Sequence, residues 1–228
     1  IKVYIDGLDL SDITAPQEEP TYIDNLSLVN LSSIEILNGS QGTLYGSNAI
    51  GGVISLFSKK PTKFGFENIT FLEGGSFGTT KIGNSLNYMN NKLMITASLN
   101  REQSNGFSSL KDNGTDVQEK DGYKLFSGSI LLDYKYSSDL SLDFVVRHSY
   151  QGHEYDDSYN SAETTAYDRK DRQSAGLVGI TYKTNNYHHR FIYQPSQSMR
   201  INISPSKNEY DSLRHKGEYL LNFNIFNK

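Results

Sequence analysis

The chain has 228 residues, a formal net charge of −4 and a sequence pI of about 5.7, so its overall charge gives no attraction for nucleic acid phosphates. It contains no cysteine, which excludes a disulfide framework and a thiolate metal site. No apolar run reaches the roughly 18 residues of a transmembrane helix. Membrane β-barrels are not excluded, because each of their strands gives only a weak hydropathy signal.

The start of the chain predicts one strand, one turn and a long polar segment. Ile1–Ile5 is rich in β-formers, and Asp6-Gly7 after it is a turn signal. Residues 9–22 are polar and contain two prolines, which disfavour both helix and a regular ladder, so this segment is predicted to be an exposed loop. Residues 24–29 (DNLSLV) are predicted to form a short helix with Asp24 near its N-cap.

The most informative stretch is Ile34–Phe57, in which five glycines lie between the apolar runs Ile34–Leu37 and Val53–Phe57. Glycine adopts positive φ at little cost and lets another backbone approach closely, so we predict two strands joined by a tightly wound crossing. A phosphate loop is disfavoured because no lysine follows these glycines, and a dinucleotide site because no G-x-G occurs. An ordinary glycine-rich hairpin is the alternative on composition alone.

The order of residues in IEILNGSQGTLYGSNAIGGVISL resembles the end of the plug domain in TonB-dependent outer-membrane receptors. Val3–Gly7 resembles the V-x-[IV]-D-G hairpin of the same domain. Asn38 stands where this family commonly has arginine, and Ser40 where it has proline. The resemblance covers residues 1–61 and identifies as structural motif positions Asp6, Gly7, Glu35, Gly39, Tyr45, Gly46, Ala49, Gly51 and Gly52.

From residue 66 onward, apolar and polar residues alternate, which is typical of half-buried strands. Eight strands are predicted, at 66–75, 79–89, 93–103, 123–136, 140–150, 171–183, 187–194 and 217–227. The connections after the second, fourth and sixth strands are tight, whereas those after the third, fifth and seventh are predicted to span about 19 to 22 residues. Short turns on one side and long loops on the other are typical of an up-and-down membrane barrel.

Aromatic residues beside the tight turns support this orientation, and we assign to an inner interfacial girdle Tyr88, Tyr134, Tyr136, Tyr182 and Tyr187. A soluble antiparallel sandwich would also show alternating strands. The resemblance favours the membrane barrel. The predicted fold class is therefore all-β with a small α+β plug: a partial antiparallel up-and-down transmembrane β-barrel preceded by part of a plug domain.

The domain prediction places the C-terminal part of the plug at residues 1–61 and the first eight or so barrel strands at 62–228. Plugged outer-membrane transporters have about 22 strands, so eight strands cannot enclose a plug. The resemblance also places the segment that binds TonB upstream of residue 1. We therefore expect this sequence to be a piece of a longer receptor.

The resemblance implies active uptake of a scarce, bulky ligand across the bacterial outer membrane, powered by TonB, with membrane lipid as a further partner and no enzymatic activity. Cobalamin is the first ligand hypothesis, from loop resemblance, and an iron–siderophore or haem is the alternative. A non-transporting adhesive or passive barrel is the hypothesis from another functional class. Ligand contacts are expected in the plug loop at Thr14, Ala15, Gln17, Glu18 and Glu19.

Calcium is the one cofactor that the sequence suggests. Acidic residues are concentrated in two long loops, and calcium prefers six to eight oxygen ligands on flexible loops. By resemblance to the cobalamin receptor branch, the candidate ligands are Glu119, Asp121, Tyr155 and Asp156. Solvated surface charge is the alternative. The five histidines are scattered, and none of them is spaced to form a metal or catalytic site with another.

Overall fold

The structure is a computed structural model, which describes residues 1–11, 30–45, 49–107, 120–155, 167–203 and 206–223. These residues form a four-stranded sheet, here called the small sheet, and an eight-stranded sheet, here called the wall. Within these ranges, no helix has the length and apolar character needed to cross a membrane. The all-β prediction is confirmed.

The small sheet is formed by two separate segments of the first sixty residues. Its elements are β1 (Lys2–Ile5), β2 (Leu8–Asp9), β3 (Leu31–Asn38), helix α1 (Gly42–Tyr45) and β4 (Gly52–Ser58). The strand order is β2-β1-β4-β3, with β1 parallel to β4 and the other pairs antiparallel. The two apolar runs of the glycine-rich stretch therefore pair as β3 and β4, as the sequence predicted. The helix predicted at 24–29 lies outside the described residues.

The turn between β1 and β2 explains the Asp-Gly pair. Asp6 has φ 51° and Gly7 has φ 83°, and positive φ at both central residues is the hallmark of the two-residue type I′ hairpin. Tyr4 then pairs with Asp9, and Ile5 pairs with Leu8. The sequence thus fixes a tight hairpin tip at residues 6 and 7.

The wall is an up-and-down sheet in which every strand pairs with its sequence neighbour. Its strands are β5 (Gly65–Gly74), β6 (Thr80–Met89), β7 (Leu93–Ser104), β8 (Tyr123–Lys135), β9 (Leu140–Tyr155), β10 (Tyr167–Lys183), β11 (Tyr187–Ile203) and β12 (Lys207–Phe223). All seven pairings are antiparallel. The predicted number and order of strands are confirmed.

Two of the predicted long loops are wrong. The connection after β9 spans residues 156–166, and the connection after β11 spans only residues 204–206. The strands β9, β10 and β12 extend well past their predicted ends because the added parts carry polar residues on both faces, which hides the period-two pattern. Only the connection after β7, residues 105–122, has about the predicted length.

Pro195 also led the sequence prediction to end β11 too early. A proline cannot donate a ladder hydrogen bond, so it usually marks the end of a central strand. Here β11 continues through it, and the pairing of β10 with β11 is interrupted only at Gly176 and Leu177, which lie opposite Pro195 and Gln194. The missing N–H of Pro195 therefore interrupts the hydrogen-bond ladder between β10 and β11 only at this place.

The outward face of the wall, the face turned away from the small sheet, is largely apolar, apart from a polar cluster of Asn68, Thr70 and Asn84 on β5 and β6. Its exposed side chains include Phe66, Leu86, Leu99, Phe126, Ile130, Phe144, Val178, Phe191 and Tyr219. A face of this size is unusual for a soluble monomer and is typical of the lipid-facing side of a membrane barrel. Tyr88, Tyr134, Tyr182 and Tyr187 border this face beside the tight turns, where the sequence placed the inner girdle.

Two adjacent glycines provide a test of the glycine-rich crossing. Gly52 has φ 128°, and a Cβ added there would lie 2.5 Å from the carbonyl oxygen of Leu37, so Gly52→Ala should destabilise the small sheet by about 2–3 kcal/mol. Gly51→Ala is the matched control, because its Cβ would lie at ordinary contact distances from Ile1, 3.4 Å from Cγ1 and 3.9 Å from the backbone nitrogen. Urea titration with limited proteolysis of the small sheet measures the stability of both variants. Equal midpoints for the two variants would contradict the prediction.

Candidate functional site at the contact of the small sheet and the wall

The small sheet packs against the inward face of the wall through one apolar cluster. Buried side chains of the small sheet and of the segment after β2 meet side chains from β8, β9 and β10, and the members are Val3, Ile5, Leu8, Leu10, Leu56, Leu131, Val145, Ala175 and Leu177. Ile5 is 0% and Leu8 is 1% exposed. Burying a side chain of this size contributes about 1.5–3 kcal/mol, so the cluster fixes the small sheet on this part of the wall.

Asp6 at the hairpin tip links three parts of the chain. Its carboxylate accepts hydrogen bonds from the Ser58 backbone N–H (2.8 Å) and from the Ser58 hydroxyl (2.6 Å), so it caps the end of β4. It also lies 3.8 Å from the guanidinium of Arg147 on β9. The Asp6 side chain is only 4% exposed, so these partners offset the cost of burying its charge.

Asp9 on β2 forms the second buried charge cluster. The ammonium of Lys2 lies 3.3 Å from Asp9 Oδ2, and the guanidinium of Arg214, on β12, lies 3.5 Å from Oδ1. Burial raises the pKa of Asp9, but hydrogen bonds from Ser11 and the charges of Arg214 and Lys2 outweigh it and hold the pKa below its ordinary value. Asp9 is therefore a stable anion in this position.

Two glutamines and Arg214 bind the backbone of the hairpin. The Gln194 side chain donates to the carbonyl of Gly7 (3.1 Å) and accepts from the N–H of Asp9 (3.2 Å). Gln173 donates to the carbonyl of Leu10 (3.1 Å), and Arg214 donates to the carbonyl of Asp9 (2.6 Å). The wall thus satisfies backbone groups that the short β2 strand leaves unpaired on its outer edge.

Tyr4 closes the other side of β1. Its ring lies 5.4 Å from that of Tyr45 in α1, and the ammonium groups of Lys216 and Lys2 lie 5.7 Å and 6.0 Å from its ring centroid. Burial, with the nearby charges of Asp9 and Glu218, raises the pKa of Tyr4 well above its ordinary value. The phenol is therefore neutral at every physiological pH, and its contacts are packing and cation–π contacts.

This arrangement can hold the hairpin firmly without any covalent bond. Most of the wall residues that carry it were missed at the sequence level: Arg147, Gln173, Gln194 and Arg214. Each lies at an inward position of an alternating strand, where polar residues are common, so no signal distinguished these four from other inward polar side chains. The described contacts are ones by which one segment of the chain recognises another.

The motif positions of the small sheet have structural roles. Ala49 is fully buried and its carbonyl accepts a hydrogen bond from the N–H of Gln41 (2.9 Å), while Gly39 has φ 85° at the end of β3. Glu35 lies on the exposed strand β3, and Gly46 lies outside the described residues. The predicted ligand loop, Thr14, Ala15, Gln17, Glu18 and Glu19, also lies outside the described residues.

The structure describes only two of the four candidate calcium ligands. Asp121 precedes β8 and Tyr155 ends β9, whereas Glu119 and Asp156 lie outside the described residues. In the described ranges, no group of three or more His, Asp or Glu side chains comes together. Calcium binding at these four residues therefore stays a prediction.

Removing Arg214 tests the buried charge cluster. Arg214→Met leaves the 3%-exposed Asp9 with Lys2 as its one cationic neighbour among the described residues, so seating of the plug should weaken by about 2 kcal/mol. Asp9→Asn should make the same arginine substitution much less costly, because the two side chains act as a pair. Lys207→Met, which removes an exposed ion pair on the same strand, is the control and should cost less than about 1 kcal/mol. Additive effects of the Asp9 and Arg214 substitutions would contradict the pairing.

The pKa of Asp9 gives a pH dependence with a definite sign. Because this pKa is lowered in the folded protein, the stabilisation is fully present above the ordinary value of about 3.8 and is lost as the pH falls from there through the lower folded value. The urea midpoint of the plug should therefore fall in acid more steeply in the parent protein than in Asp9→Asn. Identical pH profiles for the two proteins would show that Asp9 contributes nothing.

Comparison with known proteins agrees with this geometry. Residues 1–53 match the family model described as TonB-dependent Receptor Plug Domain. Over 61 residues, the chain is 36% identical to the pesticin receptors of Yersinia pestis and Yersinia enterocolitica, and the aligned part covers 27% of this chain and 8% of each receptor. The sequence likeness to these relatives is thus confined to a small share of their length.

Solved structures also resemble this chain in fold, and this likeness includes the wall. The ferric yersiniabactin uptake receptor from Yersinia pestis has a TM-score of 0.69 at 16% identity, and the alignment covers 96% of this chain and 36% of the receptor. The siderophore receptor PirA from Acinetobacter baumannii has a TM-score of 0.70 at 17% identity, with 96% and 37% covered. This chain therefore corresponds to somewhat over a third of each of these structures.

The small sheet, its contacts with the wall and the apolar outward face now have one explanation. The hairpin and the glycine-rich crossing belong to the plug, and the eight strands form the wall that the plug packs against on its inner side. Residues 1–53 therefore match the plug domain of TonB-dependent receptors in sequence, and the strands that follow share the fold of the corresponding part of the solved receptors.

Proposed function

We propose that this chain works in a receptor that takes up an iron–siderophore complex across the outer membrane. The observation that carries the proposal is the contact between plug and wall, in which the hairpin is held on the inner face of the wall by buried polar groups. A plug seated in this way closes the barrel at rest. The names of the relatives supply the ligand class, because they include siderophore and pesticin receptors.

The chemistry of the contact fits a plug that must move. Gln173, Gln194 and Arg214 bind backbone groups that water can also bind, so the net contribution of each hydrogen bond is only about 1 kcal/mol. In this proposal, TonB pulls on a plug segment upstream of residue 1 and breaks these bonds one after another. Water entering the lumen then replaces the partners that are lost.

The ligand assignment changes relative to the first hypothesis from the sequence. Cobalamin gains no support, because the relatives reported above are siderophore and pesticin receptors, and an iron–siderophore complex, the sequence-level alternative, is the better choice. We keep the plug loop at residues 14–19 as the candidate ligand contact and residues 1–61 and 62–228 as the two domains. No catalytic role is proposed for any residue.

A non-transporting barrel remains the second candidate, in which the plug only fills the lumen. The polar contact favours transport over this alternative, because a permanent filling would gain more from apolar side chains at the same buried positions. Replacing buried ion pairs by well-packed apolar residues is often neutral or stabilising, so retaining Asp6 and Asp9 with their partners is consistent with a plug that separates from the wall.

Uptake by the complete receptor tests the proposal. We expect cells that lack their own siderophore receptors, and that express the full gene, to accumulate radioactive iron from ferric yersiniabactin or ferric enterobactin. Accumulation should fall to the level of receptor-free cells when TonB is inactivated, because the plug then stays seated. Labelled cobalamin and haem, offered to the same cells, are the ligand controls.

The outcomes separate the alternatives. Uptake of cobalamin or haem without uptake of a ferric siderophore would contradict the siderophore assignment and keep the receptor function. Surface expression without TonB-dependent uptake of any of these ligands would support the passive or adhesive barrel. Surface labelling of the receptor, measured in the same cells, ensures that a failure to reach the membrane is not scored as a failure to transport.

A further inference from the structure

A row of basic side chains follows the outer edge of the apolar outward face. In the register of the wall, Lys124 on β8 pairs with Gly152 on β9, and Gly152 pairs with Lys170 on β10. The next row toward the membrane contains Phe126, Tyr150 and Arg172. Because residues two apart on a strand share a face, all of these side chains lie on the same outward surface as Ile130 and Phe144.

The height of this row matches the outer membrane interface. Ten residues separate Lys124 from Tyr134, the tyrosine of the inner girdle on the same strand. Ten residues span about 33 Å along a strand, or about 25 Å along the membrane normal at a tilt of about 40°. The apolar band of an outer-membrane barrel is about 25 Å tall, so Lys124 and Lys170 lie at the headgroups of the outer leaflet.

The geometry at Gly152 leaves room between the two lysines. A Cβ added at Gly152 would lie 3.3 Å from the hydroxyl of Tyr150, so this hydroxyl points into the gap that the absent side chain leaves. The guanidinium of Arg172 lies 5.9 Å from the centroid of the Tyr150 ring. The gap adjoins a cavity of about 580 Å³ at the rim of the wall, which Lys124, Tyr150 and Lys170 line from the outward face and Tyr123, His153 and Arg169 from the inward face.

The neighbouring carboxylates limit the charge of this cavity without cancelling it. Glu154 and Asp168 lie opposite each other in the strand register, one row farther from the membrane. Both carboxylates also line the cavity, as does Lys120. Glu154 accepts a hydrogen bond from the N–H of Gly122 (3.0 Å), so its carboxylate has a partner within the protein. No ion pair within 4.0 Å joins Lys124, Lys170 or Arg172 to a carboxylate in the described ranges.

We propose that Lys124, Lys170 and Arg172, with the hydroxyl of Tyr150, bind the phosphate group of a lipid in the outer leaflet. Lysine and arginine donors around an open gap are the chemistry that recognises phosphate, and basic residues next to a membrane bind anionic headgroups. The apolar surface below the row, at Phe126 and Ile130, lies where the acyl chains of such a lipid run. This continuity favours a lipid over a free phosphate ion as the occupant.

Lipid titration of the complete receptor in neutral detergent tests the proposal. Native mass spectrometry should detect short-chain phosphatidic acid bound more tightly than phosphatidylcholine with the same acyl chains. The double substitution Lys124→Gln/Lys170→Gln should weaken the phosphatidic acid affinity about thirty-fold, because each basic residue near a headgroup contributes roughly five-fold. Tyr150→Phe should weaken it by less, since it removes one hydroxyl donor and keeps the ring.

Lys207→Gln is the matched control. Lys207 is also an exposed lysine at the outer end of a strand, but it lies on β12 and already pairs with Glu209 (3.0 Å). Lys207→Gln removes one positive charge, as each substitution of the double variant does, and should leave the affinity for phosphatidic acid unchanged. Equal weakening by Lys207→Gln, or no weakening by the double substitution, would overturn the proposal. Displacement of phosphatidic acid by inorganic phosphate at equal concentration would also overturn it, because the site would then recognise an ion and not a lipid.

Discussion

Burial of two carboxylates on one hairpin dictates how this structure is assembled. Asp6 and Asp9 are each nearly excluded from water, and a buried charge is tolerated only with charged or hydrogen-bonding partners. Ser58 and Lys2 come from the small sheet itself, whereas Arg147 and Arg214 come from strands that lie far apart in the wall. The hairpin therefore satisfies its charges only when it sits against the wall in one position.

The two faces of the wall differ in polarity because they have different surroundings. Its outward face is apolar because it meets lipid, and its inward face is mostly polar except where the small sheet packs against it. The wall side chains buried in this cluster are Leu131, Val145, Ala175 and Leu177 on three adjacent strands, and Ile192 of β11 packs against them. Apolar packing thus locates the small sheet, and the surrounding polar contacts orient it.

The sequence predicted the architecture better than it predicted the site. Period-two alternation and the tight turns gave eight strands in the correct order, because lipid on one side forces a regular pattern. The prediction ended β11 at Pro195, although the strand continues to Ile203 and alternation resumes there, with Met199, Ile201 and Ile203 on one face. Asp6 and Gly7 were recognisable because a type I′ turn restricts residue type. Gln194 and Arg214 were not, because their partners are backbone and side-chain groups nearly two hundred residues away in the chain.

Under the uptake function proposed above, the same contact accounts for a plug that is both secure and removable. Separating the hairpin from the wall exposes Asp6, Asp9 and their arginines to water, and hydration then compensates for most of the ion pairing that is lost. The apolar cluster around Ile5 and Leu8 is not compensated in this way, since exposing it to water costs the full transfer free energy. The resistance to pulling should therefore reside mainly in this small cluster, whereas the polar contacts determine where the plug returns. A larger apolar interface would hold the plug more strongly, but it would raise the work of every opening by the same amount.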